Sequence, residues 1–146
     1  MWKRNIEVFL YNPKYIENLA NVVRSCACFG LNRVYYSGDR INLNQKRVPR
    51  GLRMYKEIEL INNLPSFNNK YPIAVEVGDY TRLHKFSSLL EKNIILVFGP
   101  EDGNIPSHIL SLCFDFITID TLHPLNLANC VSILLYKLNE IEKNTQ

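Results

Sequence analysis

Asn93-Ile94-Ile95-Leu96-Val97-Phe98-Gly99-Pro100-Glu101-Asp102-Gly103-Asn104-Ile105-Pro106 is the stretch on which the fold turns. An unbroken apolar run stopped by Gly-Pro reads as a strand buried on both faces. Such runs belong to parallel sheets that carry helices on both sides, because a half-solvated strand would alternate apolar with polar. The loop after it holds two carboxylates at the strand's carboxyl end, where ligands gather in open α/β sheets.

The neighbouring segments repeat the pattern. Ile6–Tyr11 reads as a first strand ended by Asn12-Pro13. Ile16, Leu19, Ala20, Val23, Cys26 and Ala27 then recur at helical spacing, with Gly30 as the C-terminal stop. Arg33–Tyr36 reads as a strand, and Asp39 to Lys56 as irregular chain. Ile58–Leu64 fits a strand end or a short helix equally well. Tyr71–Val77 reads as a strand closed by Gly78, Ser107–Leu112 as a short helix, Phe116–Ile119 as a strand and Asn126–Ile141 as a long helix. Alternation of this kind predicts an α/β fold with a mostly parallel sheet and helices on both faces. The loops that matter are then Asn12–Asn18, Gly78–Arg82, Gly99–Pro106 and Asp120–Asn126.

A length of 146 residues fits one domain, 1–146, and an apolar fraction of 47% supports a real core. Lys and Arg exceed Asp and Glu by 17 to 14, a formal charge of +3 that permits a polyanionic partner without requiring one. The six glycines form neither the dinucleotide-binding nor the P-loop fingerprint, so any phosphate-bearing cofactor is held in another way. No apolar run reaches the roughly 20 residues of a membrane span, and no signal peptide is evident. The four cysteines, Cys26, Cys28, Cys113 and Cys130, sit in apolar segments and read as buried free thiols. A cytosolic location is the expectation.

Three segments carry chemistry-bearing side chains. The first is Asn18-Leu19-Ala20-Asn21-Val22-Val23-Arg24-Ser25, continuing to Phe29-Gly30. The second is Phe98 to Pro106, with Glu101. The third is His123-Pro124-Leu125-Asn126-Leu127-Ala128, continuing to Tyr136. Alone, Asn18 reads as a helix N-cap, Arg24 as a solvated charge and Asn126 as a natural N-cap. In this order and spacing, the three resemble the motifs of the SpoU/TrmH family of RNA methyltransferases, in the SPOUT superfamily, across nearly the whole chain from Val8 to Leu138. Three positions depart from the family pattern. Leu19-Ala20 stand where a glycine is usual, Asn104, after Gly103, stands where the family often has a glycine, and Pro124 takes the place of a common serine, with His123 and Thr121 as its nearest substitutes.

The resemblance implies a C-terminal trefoil knot, an obligate homodimer and S-adenosylmethionine as cofactor, with no metal. The implied reaction is methyl transfer to a ribose 2′-hydroxyl of tRNA or rRNA, tRNA being the first expectation. It casts Arg24 as the phosphate clamp and alkoxide stabiliser, since a guanidinium is too weak an acid to serve as a base. Asn18 orients the ribose or Arg24, Glu101 holds Arg24 or substrate and is one candidate proton acceptor, and Asn126 fixes the knot loop. Backbone groups at Val75, Gly99, Ile119 and Leu125 hold the cofactor. Beside this, Leu127, Val131, Leu134, Leu138 and Ile141 repeat as a helix seam, open to packing on the chain's own sheet or on a second copy.

Arg40, Lys46, Arg47, Arg50, Arg53 and Lys56 form a basic stretch with no acidic residue inside it, and they read as an RNA-phosphate track. Tyr35, Tyr36 and Tyr55 flank it as candidate base-stacking rings. Two other functions fit the same residues. One is a base-nitrogen methyltransferase, and the other is a catalytically silent RNA- or cofactor-binding module, prompted by Pro124.

Overall fold

The computed structural model describes residues 6–76, 81–82 and 92–144. Its strands are β1 (Glu7–Leu10), β2 (Arg33–Tyr36), β3 (Glu59–Asn62), β4 (Tyr71–Val75), β5 (Thr81–Arg82), β6 (Ile94–Phe98) and β7 (Asp115–Thr118). Its helices are α1 (Ile16–Cys28), α2 (Gly51–Met54), α3 (Ser107–Leu110) and α4 (Leu127–Asn144). The strands join in one sheet in the order β3-β2-β1-β6-β4-β7-β5, and every pairing among the described residues is parallel. The expected α/β class is thus observed. Gly78, expected to end the fourth strand, and most of the loop 78–82 lie outside the described residues.

The apolar run of β6 places it at the centre, between β1 and β4. Ile94, Leu96 and Phe98 face the larger core with α1 and α4, while Ile95 and Val97 face a smaller one with Ile105, Ile109 and Cys113 around α3. Each side of the strand therefore has its own apolar cover, which is why the run has no polar alternation.

Helix α1 ends as its glycine predicts. Gly30 takes φ +78°, its N–H donates to the Ala27 carbonyl at 3.1 Å, and the Leu31 N–H donates to Cys26 at 2.9 Å. This is a Schellman cap, whose left-handed residue costs glycine least. Helix α4 begins after Asn126, whose Oδ1 accepts the N–H groups of Ala128 (2.9 Å) and Asn129 (3.2 Å). Leu127, Val131, Leu134 and Leu138 are buried in the chain's own larger core, with Ile141 packed against it, so the seam seen in the sequence is internal. Of the thiols, Cys26 and Cys113 are buried as expected, Cys130 is partly so, and Cys28 is exposed because it falls on the outer side of α1. No helix among the described residues is long and apolar enough to cross a membrane.

Candidate functional site

The carboxyl ends of β1, β4, β6 and β7 lie on one edge of the sheet, because all the strands run the same way. The first turn of α1, after β1, carries Asn18, the loops after β6 and β7 carry Glu101 and Asn126, and hydrogen bonds tie these residues into one chain. Asn126 Nδ2 donates to Asn18 Oδ1 at 3.1 Å, and Asn18 Nδ2 donates to Glu101 Oε2 at 3.0 Å. The Glu101 carboxylate also accepts the backbone N–H of Lys14 and of Tyr15, each at 2.9 Å. All three sequence segments thus converge. Asn18 is buried and sits one turn into α1, so it is not the N-cap that its type suggested. The N-cap position is Tyr15, and no side chain caps the helix locally.

Glu101 is therefore fully engaged. Burial raises its pKa, but the bonds from Asn18, Lys14 and Tyr15 outweigh burial and leave it below the ordinary glutamate value. A carboxylate with three donors and a depressed pKa is a poor proton acceptor, so this geometry favours a positioning role. Nor does Glu101 hold Arg24 within this chain. Arg24 lies six residues beyond Asn18 on α1, about 9 Å along the axis and on another face. Its exposed guanidinium gives Nε–H to the Tyr55 hydroxyl at 2.9 Å instead.

Beside the chain of amides lies a cavity of about 310 Å³, at the small end of the range for small-molecule sites. Val75, Gly99, Ile119 and Leu125, the four expected cofactor contacts, all line it, as do Asn18, Glu101 and Asn126. Gly99 is required there. A Cβ on it would come within 2.9 Å of the Ile105 nitrogen and 3.1 Å of the Asn104 carbonyl carbon. The loop after β6 thus folds back closely on the backbone of Gly99, with the Glu76 carboxylate beside it. Such a mainly apolar cleft with backbone edges suits a nucleoside-bearing cofactor without a glycine fingerprint.

Sequence reading missed Glu76, which also lines the cavity and whose Oε1 accepts the Ile105 N–H at 2.7 Å. Its signal was its place at the carboxyl end of a predicted strand, obscured because that strand was drawn through Val77. Thr121 lines the cavity too and its hydroxyl donates to the His123 carbonyl at 2.8 Å, closing the turn, with Pro124 forming part of the wall. Among the described residues no group of three or more His, Cys, Asp or Glu side chains could hold a metal ion.

The basic stretch divides. Arg40 is not a free phosphate ligand, because it forks onto Asp102 at 2.9 and 3.0 Å and donates to the Asn12 carbonyl at 2.6 Å. No acidic residue lies between Arg40 and Lys56 in the sequence, and the fold pairs Arg40 with a carboxylate 62 residues away. Lys46, Arg47, Arg50, Arg53 and Lys56 are exposed and enter none of the ion pairs among the described residues. Gly51 brings this segment onto α1, where a Cβ would lie 3.1 Å from the Ala20 carbonyl oxygen.

Fold and site together define an α/β protein that takes a small ligand among the loops of a parallel sheet, with an exposed basic flank. The chain belongs to the SpoU rRNA methylase family, whose pattern matches residues 5–136. That membership, its methyltransferase class and its S-adenosylmethionine dependence agree with the resemblance of the three segments. A Mycoplasma genitalium protein provisionally named a tRNA (cytidine(34)-2′-O)-methyltransferase is 27% identical over 96% of this chain and 93% of its own. The tRNA (cytidine-2′-O-)-methyltransferase TrmJ of Methanocaldococcus jannaschii is 24% identical over 91% of this chain and 66% of its own. Among solved structures, one described in connection with 2′-OH methylation of C/U34 on tRNA superposes with a TM-score of 0.80. It is 21% identical, over 97% of this chain and 98% of the other. The SpoU methyltransferase AviRb of Streptomyces viridochromogenes, in complex with AdoMet, gives 0.76 at 14% identity, over 97% and 58%. These likenesses establish the fold.

Proposed function

We propose that the protein transfers a methyl group from S-adenosylmethionine to a ribose 2′-hydroxyl in the anticodon loop of a tRNA. The observation that carries this reading is the Asn126–Asn18–Glu101 chain, which draws the start of α1 and two distant loops around one cavity. The names of the two curated relatives support tRNA as the substrate class.

The cofactor supplies a methyl group made electrophilic by its sulfonium. Backbone groups at Val75, Gly99, Ile119 and Leu125 would hold it in the cavity. Asn126 and Asn18 fix the loop 120–126 against α1, and Glu101 fixes the loop after β6 to the same helix start. Arg24 clamps the phosphate beside the reacting ribose and steadies the developing alkoxide. The phosphate takes the proton, since Glu101 is already saturated with donors.

Arg24 does not line the cavity of its own chain, so the reading includes a homodimer that brings it to the cavity of a second copy. Exposed Ile133 and Tyr136 on α4, beside the Ser25–Ser132 contact between α1 and α4, give that docking an apolar face. A trefoil knot through the loops after β6 and β7, a single domain serving cofactor and RNA alike, and a cytoplasmic setting complete the proposal. Lys46, Arg47, Arg50, Arg53 and Lys56 form its phosphate track, and Arg40 braces the loop instead.

Arg24→Ala is expected to bind S-adenosylmethionine normally and to lose about a hundredfold or more in single-turnover methyl transfer. A near-normal rate in that variant contradicts the role of Arg24.

A further inference from the structure

We infer that Tyr55 is a positioning residue for Arg24: its hydroxyl takes the Nε–H at 2.9 Å and leaves the two terminal nitrogens of the guanidinium to fork a phosphate. This deepens the proposed function and rests on its assignment of Arg24 to methyl transfer.

Arg24 is an exposed residue on α1, and an exposed arginine side chain ordinarily samples many rotamers. A positioned guanidinium therefore needs an anchor that does not consume its charge. A carboxylate would neutralise the cation and compete with the substrate's phosphate, whereas a phenol accepts one hydrogen bond and remains neutral. Tyr55 meets that need. Its ring is half-buried and packs against the larger core, so the hydroxyl sits on a fixed support. Taking Nε–H leaves the paired Nη groups, whose parallel N–H bonds match two phosphate oxygens. No other hydrogen bond or ion pair of Arg24 is found among the described residues.

The anchor also belongs to the basic segment. Tyr55 follows α2 directly and lies between Arg53 and Lys56, and Gly51 of the same helix is seated on the Ala20 carbonyl of α1. RNA held by the segment would thus meet a guanidinium already braced from the same side. The 31 residues between the partners explain why the sequence alone presents Tyr55 only as a candidate stacking ring.

A double-mutant cycle tests this, using single-turnover transfer to tRNA at saturating S-adenosylmethionine and RNA. Tyr55→Phe keeps the ring and removes only the hydroxyl. It is expected to lower the rate about tenfold while leaving cofactor affinity by calorimetry, the KM for RNA and the melting temperature unchanged. Arg24→Lys keeps a cation but has no Nε–H to give, so adding Tyr55→Phe to it is expected to cost nothing more. Equal losses in both backgrounds, a wild-type rate for Tyr55→Phe, or a loss confined to KM for RNA overturns the inference. Full activity in Arg24→Ala instead overturns the catalytic reading beneath it, and the two failures are separable because that variant leaves Tyr55 intact.

Discussion

At Glu101 two opposed effects meet, and their balance sets what the side chain does. Partial burial favours the protonated form, while one amide side chain and two backbone N–H groups favour the carboxylate, and the carboxylate wins. Because the folded pKa is depressed, the bonds contribute stability above the unfolded value, about 4.3 for glutamate. That contribution falls away as pH drops through the depressed folded value. Glu101→Gln is therefore expected to be less stable than the wild type at neutral pH, with the difference shrinking in acid, as read by melting temperature against pH. A constant gap would show that ionisation of Glu101 contributes nothing. The residue types at this site were legible in the sequence, since Asn, Glu and Asn at strand ends stand out from an apolar background. Their partnership was not, because 83 and 108 residues separate the bonded pairs and only the folded sheet brings them together.

Among the elements, β6 and α1 were the most legible because each carries a signal that no alternative shares. One has a continuous apolar run ended by Gly-Pro, and the other an amphipathic stripe ended by a glycine at positive φ. Ile58–Leu64 was ambiguous, since so short an apolar run fits either structure, and pairing with β2 at the sheet edge decides for β3. The seam on α4 was legible as a buried stripe but not as to what buries it; the answer is the larger core shared with α1. Gly99 is the clearest case of an element end shaped for a ligand, because both atoms that crowd its missing Cβ most closely are backbone and cannot swing aside. Gly99→Ala is expected to cost about 1–3 kcal/mol, the usual range for overpacking, and to weaken S-adenosylmethionine binding by calorimetry. Unchanged affinity and stability would mean that the loop after β6 has slack that this geometry denies it.

Across the whole molecule, the candidate site gathers at the carboxyl edge of the sheet, while a buried ion-pair cluster braces the amino edge. Glu7, at the amino end of β1, is buried yet paired with Arg33 at 3.0 Å and with Lys70, an arrangement that alternation in the sequence could not reveal. The opposite edge holds the cavity, the amide chain and the cationic flank. The small positive excess of the composition is thus partly spent on the fold itself, through Arg33 and Arg40, and the part free to meet RNA is the exposed group from Lys46 to Lys56. The central claim is that this edge methylates a ribose hydroxyl of tRNA. Its most direct test is incubation of the purified protein with methyl-labelled S-adenosylmethionine and total tRNA, followed by nuclease digestion and nucleoside analysis. The account predicts label in a 2′-O-methylnucleoside that maps to the anticodon loop; label on a base nitrogen, or none while the cofactor still binds, would contradict it.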